Sequence, residues 1–515
     1  MTETNSVTLA IGAPTIAELV AVARDGARVV LSAESLAAID AVRSHVEELA
    51  HSGRPVYGIS TGFGALATKF IEPELRQQLQ RSLVRSHAAG TGPCVETEVV
   101  RALMLLRLST LATGRTGVRR VTAETYAAIL NAHITPCVPE YGSLGCSGDL
   151  APLAHCALAL MGEGDVHDAS GTRMPAAEAL AAAGIEPVVL EEKEGLALIN
   201  GTDGMLGMLC LAIHDLDCLV RTADVSAAMS IEALLGTDRV LDAELMALRP
   251  HPGQAASASN MRRVLADSPI VASHRGEGDT RVQDAYSLRC APQVAGAVRD
   301  TLEHCRTVAM RELASAIDNP VVLPDGRIES NGNFHGAPVA YALDFLAIVA
   351  ADLASMSERR TDRMLDTSRS HGLPPFLAHD AGVDSGHMIA QYTQAGIVSE
   401  MKRLAAPASV DSIPSSAMQE DHVSMGWSAG RKLRRSVDGL ARVIAIELLT
   451  AARGIDLRSP SLPAPGTGAA YRLIREHVEG VGPDRWLSPE IESVHALVAD
   501  ETLLAEVERV VGALD

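Results

Sequence analysis

The sequence predicts a mainly α-helical protein: a long central helix bundle, preceded by an N-terminal region whose loops interrupt shorter helices. Two observations carry that prediction. Of the 515 residues, 47% are hydrophobic but only 3% aromatic, so the core draws on Ala, Leu and Val. These suit packed helices better than a sheet, which favours aromatic and β-branched residues. Helical periodicity also persists through residues 205–229, 298–318, 339–357, 389–406 and 428–453. Those lengths exceed the typical globular helix and point to a bundle. The expected organisation is an N-terminal region over 1–204, the bundle over 205–457, and a linker with a helical tail over 458–515.

In chain order, Thr15-Ile16-Ala17-Glu18 is a capping box that opens a helix to about Arg24. Residues 28–31 read as a strand, and Ser32 caps a longer helix to about His51. Residues 55–64, Pro-Val-Tyr-Gly-Ile-Ser-Thr-Gly-Phe-Gly, form a glycine-punctuated loop too apolar for a plain linker. It lacks the G-x-x-x-x-G-K-[ST] of a phosphate cradle, and a structural turn stays open. A helix from Glu74 sets Leu75, Leu79 and Leu83 on one stripe, with His87 on the same row. The ordinary reading of such a histidine is a satisfied core residue. Helices over 98–113 and 149–162 follow. Residues 163–182 read as a polar surface excursion with an Ala-rich helix, and 200–204 as a turn. Residues 458–468 read as a Pro/Gly linker, and Ser488-Pro489 opens a further helix.

One stretch reads little like packing. Gly142-Ser143-Leu144-Gly145-Cys146-Ser147-Gly148-Asp149 crowds three glycines and small side chains before a helix that tolerates Pro152 in its first turn. A tight turn there lets the Gly148 amide approach the Cys146 carbonyl. Attack closes a five-membered ring, and loss of two waters leaves a methylidene-imidazolone, a carbon electrophile made from the chain itself. The helix N-terminus favours negative charge on that ring. An ordinary N-cap and turn remains an alternative. A nucleophilic serine is another, although the G-x-S-x-G spacing of a nucleophile elbow is absent.

Three further motifs carry reactive or recognising side chains. Gln283-Asp284-Ala285-Tyr286-Ser287-Leu288-Arg289 sets a phenol and a guanidinium three residues apart, on one face if helical. Asn331-Gly332-Asn333-Phe334-His335-Gly336 is a second glycine-bearing loop, and Gln419-Glu420-Asp421-His422 a polar run after Pro414. A surface pair or a solvated turn would explain any of them singly.

Composition narrows the partners. A formal charge of −20 without a basic cluster argues against nucleic acid or an anionic membrane surface. The eight cysteines include no C-x-x-C pair and read as reduced thiols. The N-terminal stretch has no basic-then-apolar signal, and no uninterrupted apolar run reaches about eighteen residues, so a cytoplasmic location is expected. No zinc-type spacing appears among the 17 histidines, so no metal is expected.

Residues 142–152 resemble the prosthetic-group loop of the aromatic amino acid ammonia-lyases, in which a small residue followed by Ser-Gly cyclises. The resemblance extends over residues 56–453, with six motifs in family order. It implies a homotetramer whose sites draw on more than one subunit. Its prosthetic group is 4-methylidene-imidazole-5-one formed from Cys146, Ser147 and Gly148, with no external cofactor. By the same resemblance, Tyr57 is a catalytic tyrosine on a mobile loop, taken here as the base with Tyr286 as the alternative, and Arg289 grips the substrate carboxylate. Asn200 and Tyr286 stand by the electrophile, Gln283 contacts substrate, and Phe334 walls the pocket. Ser86-His87 and Glu420 resemble the histidine-selective branch, whose glutamate accepts an imidazole N–H. The implied reaction is elimination of ammonia from L-histidine to trans-urocanate, the opening step of histidine degradation. The chain departs from the commoner residues at Ser60 (asparagine), Cys146 (alanine), Ala285 (proline) and Met418 (asparagine). Rival readings are an aminomutase, a tyrosine or phenylalanine ammonia-lyase, and a catalytically silent helical scaffold. The fumarase and aspartase lyases also use helical bundles, but their Gly-Ser-Ser loop with Met-Pro is absent.

Overall fold

The computed structural model describes residues 6–51, 58–62, 69–276 and 282–515. Its contacts gather the chain into two units. One holds Met1–His214, Arg306–Asp344 and Pro407–Arg431; the other holds Asp215–Cys305, Phe345–Ala406 and Lys432–Asp515.

In the first unit, strand Ser6–Leu9 pairs in parallel with Arg28–Leu31. Helix Ile16–Ala23 lies between them, opened by the reciprocal Thr15–Glu18 capping box. The Ser32 hydroxyl accepts the Ser35 amide at 3.0 Å, and helix Ala33–His51 follows. Helix Thr97–Ala112 is buried along its length from Val99 onward. Arg107 is buried within it because the Ala197 carbonyl, at 3.0 Å, and the Asp203 carboxylate take its N–H groups.

The stripe foreseen from Glu74 is shorter than its spacing suggests. Pro73–Leu75 forms a separate 3₁₀ turn, leaving Leu75 52% exposed. Helix Arg76–His87 starts afresh and buries Leu83 and Val84 beside Arg76 and Gln80. Within residues 163–182 the polar stretch is more ordered than composition suggests. Asp165–His167 and Arg173–Pro175 form a hairpin, joined by Thr135–Pro136 into a three-stranded sheet, and helix Ala176–Ala182 follows. Strands of two or three residues are too short for an alternation to register.

The five long periodic segments are helices Asp203–Ala233, Ala291–Leu313, Ala337–Leu365, Met388–Leu404 and Gly426–Asp456. Helix Ala337–Leu365 is apolar enough by composition to cross a membrane, with a mean hydropathy of 1.7. However, 61% of that window is buried inside the protein, the pattern of a core helix. One buried carboxylate of the second unit is closely surrounded by donors. The Glu447 carboxylate accepts from Arg360 at 2.5 and 2.8 Å, from Ser226 at 2.9 Å and from Ser230 at 2.6 Å.

The stretch read as a linker over 458–468 requires correction. Helix Pro465–His477 begins inside it, with Pro465 in the first turn. Gly466 is buried because the helix runs against the backbone of Val264, where a Cβ would meet the carbonyl at 2.7 Å. Helices Ser488–Ala499 and Thr502–Val511 close the chain.

Candidate active site

The unusual stretch is a compressed reverse turn. Gly145, Ser147 and Gly148 have φ of +87°, +50° and +80°, and the Gly148 amide donates to the Gly145 carbonyl at 3.3 Å. Ser147 is thus a non-glycine residue in the left-handed region, at a cost of about 1–2 kcal/mol. The loop from Asn200 runs alongside. The Gly201 amide donates to the Ser147 carbonyl at 3.2 Å, and the Asp149 amide to the Gly201 carbonyl at 2.7 Å. A Cβ on Gly148 would collide with that carbonyl, and one on Gly145 would come within 2.9 Å of the Ser424 amide. The ring proposed from Cys146, Ser147 and Gly148 needs small residues in a tight turn with no side chain on the third, and these residues fit it.

Asp149 differs from its reading as a plain helix start. Helix Leu150–Leu160 receives no cap from its side chain. The carboxyl is fully buried and accepts instead from the Met205 amide at 2.9 Å and the Ser143 hydroxyl at 3.3 Å. Burial pushes it up to about 7, the Met205 amide pulls it down, and Asp203 adds to the rise. Asn200 is buried, its side-chain amide donating to the Asn319 carbonyl at 2.7 Å.

The other wall comes from residues far along the chain. Ser415 and Glu420 pair backbone to backbone, and the Ser415 hydroxyl donates to the Glu420 carboxylate at 3.0 Å. The same hydroxyl lies 3.0 Å from Cys146 Sγ. His87 ends helix Arg76–His87, with Nδ1 2.9 Å from the Leu83 carbonyl. A carbonyl only accepts, so Nδ1 carries the proton. Burial lowers the His87 pKa, while the Leu83 carbonyl and the charge of Glu420 act the other way. Phe334 is half-buried on its loop, and the next residue, His335, meets His422 at 3.2 Å between Nε2 and Nδ1. The first unit therefore gathers the turn, the Asn200 loop, Glu420 and His87, with the Phe334 loop joined through the histidine pair.

Gln283, Tyr286 and Arg289 lie in the second unit. Residues Tyr286–Arg289 form one helical turn, which places the Arg289 guanidinium 4.5 Å from the centre of the Tyr286 ring. Tyr286 is 69% exposed. Gln283 lines a small pocket with Arg239, His274 and Asp284. Tyr57 lies outside the described residues. Sequence reasoning missed Ser415 and the buried carboxyl of Asp149. For Ser415 the only available signal was its position after Pro414, beside the polar run that carries Glu420.

The family described as aromatic amino acid lyase matches residues 15–476. Histidine ammonia-lyase of Streptomyces avermitilis is 66% identical over 501 residues, which cover 97% of this chain and 98% of that protein. Tyrosine aminomutase from Streptomyces globisporus has a similar structure, with a TM-score of 0.93 at 38% identity, covering 98% of this chain and 99% of that one. Histidine ammonia-lyase from Trypanosoma cruzi gives a TM-score of 0.91 at 38% identity, covering 98% and 95%. With a match that spans both halves of the sequence and a fold to go with it, this chain belongs to the aromatic amino acid lyase family.

Proposed function

We infer that this carbon–nitrogen lyase removes ammonia from L-histidine without oxidation, giving trans-urocanate. The observation that carries the substrate is the 66% identity to a histidine ammonia-lyase across nearly the whole of both chains. Its chemical support is the nearness of Glu420 and His87 to the Cys146-Ser147-Gly148 turn.

The β-proton of histidine is weakly acidic and its ammonium leaves poorly, so the reaction needs an electron sink. A methylidene-imidazolone formed from Cys146, Ser147 and Gly148 supplies that carbon electrophile. Around it, Arg289 holds the substrate carboxylate in its planar fork, helped by Gln283. His87 and Glu420 orient the imidazole, with Phe334 as a wall. Tyr57 takes the β-proton, while Asn200 and Tyr286 stand by the amine. The working unit is a homotetramer in the cytoplasm, a setting consistent with eight free thiols.

Likeness to an aminomutase supports a second reading, in which the amine returns to the β-carbon. One experiment separates the readings. Ultraviolet absorbance of the purified protein is followed with L-histidine, L-tyrosine and L-phenylalanine in parallel. A conjugated acid growing with histidine alone is the expected result. Growth with another amino acid instead would discard the roles of His87 and Glu420, and β-histidine as the main product would establish the mutase.

A further inference from the structure

Cys146 brings a side chain to the ring-forming stretch that the ring itself does not use. That thiol has partners. Its Sγ lies 3.0 Å from Ser415 Oγ, and Ser415 Oγ lies 3.0 Å from Glu420 Oε2. A serine hydroxyl has one proton to give and a carboxylate only accepts, so the proton between the two oxygens belongs to Ser415. The Cys146 S–H is then the donor to Ser415. Direction is fixed along the whole relay, from thiol to hydroxyl to carboxylate.

The surroundings keep the thiol protonated. Burial pushes it up to about 11, and the neighbouring Glu420 adds to the rise. The loop that presents Ser415 and Glu420 is tied at its ends. Ser415 N–H donates to the Glu420 carbonyl at 2.9 Å and Glu420 N–H to the Ser415 carbonyl at 3.4 Å. Between them Ser416, Ala417 and Met418 are held at φ of +50°, +53° and +68°. Three successive left-handed residues cost about 1–2 kcal/mol each and persist only where their ends are over-determined. Backbone strain and side-chain relay thus converge on one carboxylate.

We propose that Ser415 is a positioning residue for Glu420 and that Cys146 orients Ser415 in turn. This rests on the reading in which Glu420 accepts the substrate's imidazole N–H. The first residue of the ring-forming stretch then takes part in choosing an imidazole over a phenyl side chain. An alanine at position 146 provides no such donor.

The test uses full-length protein carrying Ser147→Ala, which forms no ring and turns nothing over. Calorimetry measures binding of trans-urocanate and trans-cinnamate, alike in the acid arm but different in the ring. Adding Ser415→Ala is expected to weaken urocanate about tenfold and to leave cinnamate within about twofold. Ser415→Thr restores urocanate binding. Cys146→Ala costs urocanate about threefold alone and nothing on top of Ser415→Ala. In ring-competent protein, Ser415→Ala raises KM for L-histidine by a similar factor while kcat stays within about threefold. Ser415→Ala keeps both backbone hydrogen bonds, and Cys146→Ala tests the relay independently of it. Unchanged urocanate binding, an equal loss for both acids, or full additivity of the two substitutions would overturn the proposal. If unsubstituted protein neither consumes L-histidine nor binds urocanate, the reading of the site falls first. If it does both while Ser415→Ala changes nothing, only the relay falls.

Discussion

Ser147 is held at φ +50° by Gly201, whose amide donates to its carbonyl, so the turn is shaped before any chemistry occurs. Ser147→Ala keeps that shape and removes the hydroxyl whose loss would yield the proposed methylidene. Turnover of L-histidine is expected to fall at least about 10³-fold, and the intact mass to match the uncyclised sequence. Wild-type turnover by this variant would sink the ring. Met418 shows another residue-scale effect. Asparagine tolerates the left-handed region better than methionine, and Met418, 67% exposed, sits there at φ +68°. Met418→Asn should therefore stabilise the protein by about 0.5–1 kcal/mol, read as a raised denaturant midpoint. Legibility at this scale was uneven. Ser147 and Gly148 are legible through the family resemblance of their loop, since small residues before a helix fit an ordinary N-cap and turn as well. Ser415 is not, since a serine after proline looks like any turn and its partner lies 269 positions away. The neighbours of Asp149 mark a helix start, and nothing local shows that its carboxyl reaches Met205.

Elements were read best where a pattern had room to repeat. The long helices were foreseen since period 3.6 accumulates over many turns, whereas strands of two or three residues leave no period. Residues 458–468 were misread because proline and glycine serve a helix start and a close approach as readily as a linker. Two glycines show the difference. Ala is favoured over Gly inside a helix by about 1 kcal/mol. At Gly396, in helix Met388–Leu404, a Cβ meets nothing within 4 Å, so Gly396→Ala should raise the thermal midpoint. At Gly466 the Val264 backbone stands at 2.7 and 2.9 Å, so Gly466→Ala should lower it despite the same propensity gain. Equal shifts of one sign would refute the packing. The same part of the fold sets an acid limit. His387, at the start of helix Met388–Leu404, is fully buried with Nδ1 3.1 Å from the Thr450 hydroxyl. Its pKa falls from 6.5 to about 3, first through burial and then through Arg453, Arg475 and Arg485. Between those values the unfolded chain binds a proton that the folded chain refuses. Its contribution is full above about pH 6.5 and is lost at roughly 1.4 kcal/mol per pH unit as pH falls towards 3. His387→Asn, which cannot ionise, should flatten the fall in denaturation midpoint between pH 6.5 and 4.

At the scale of the whole molecule, the residues proposed to act on the substrate occupy two units. The turn, His87, Asn200 and Glu420 lie in the first, and Gln283, Tyr286 and Arg289 in the second. The spread over the sequence suits the proposed tetramer, in which a site draws on more than one chain. Among the described residues, an exposed apolar stripe suits such an assembly. Along helix Ala337–Leu365, Tyr341, Phe345 and Ile348 are 47%, 43% and 43% exposed at i, i+4 and i+7, an apolar stripe of the kind that marks an interface. Sites shared in this way would have a consequence that a self-contained chain does not. Ser147→Ala lacks the electrophile but keeps Arg289; Arg289→Ala lacks the carboxylate fork but keeps the electrophile. Each alone should be nearly inactive. Co-expressed, mixed tetramers would hold sites in which the Arg289→Ala chain supplies the turn and the Ser147→Ala chain supplies the guanidinium. Random assembly makes about a quarter of the sites intact, so activity with L-histidine should return to about that fraction of wild type. If every site were built from one chain, mixing would restore nothing, because no chain in the mixture carries both groups.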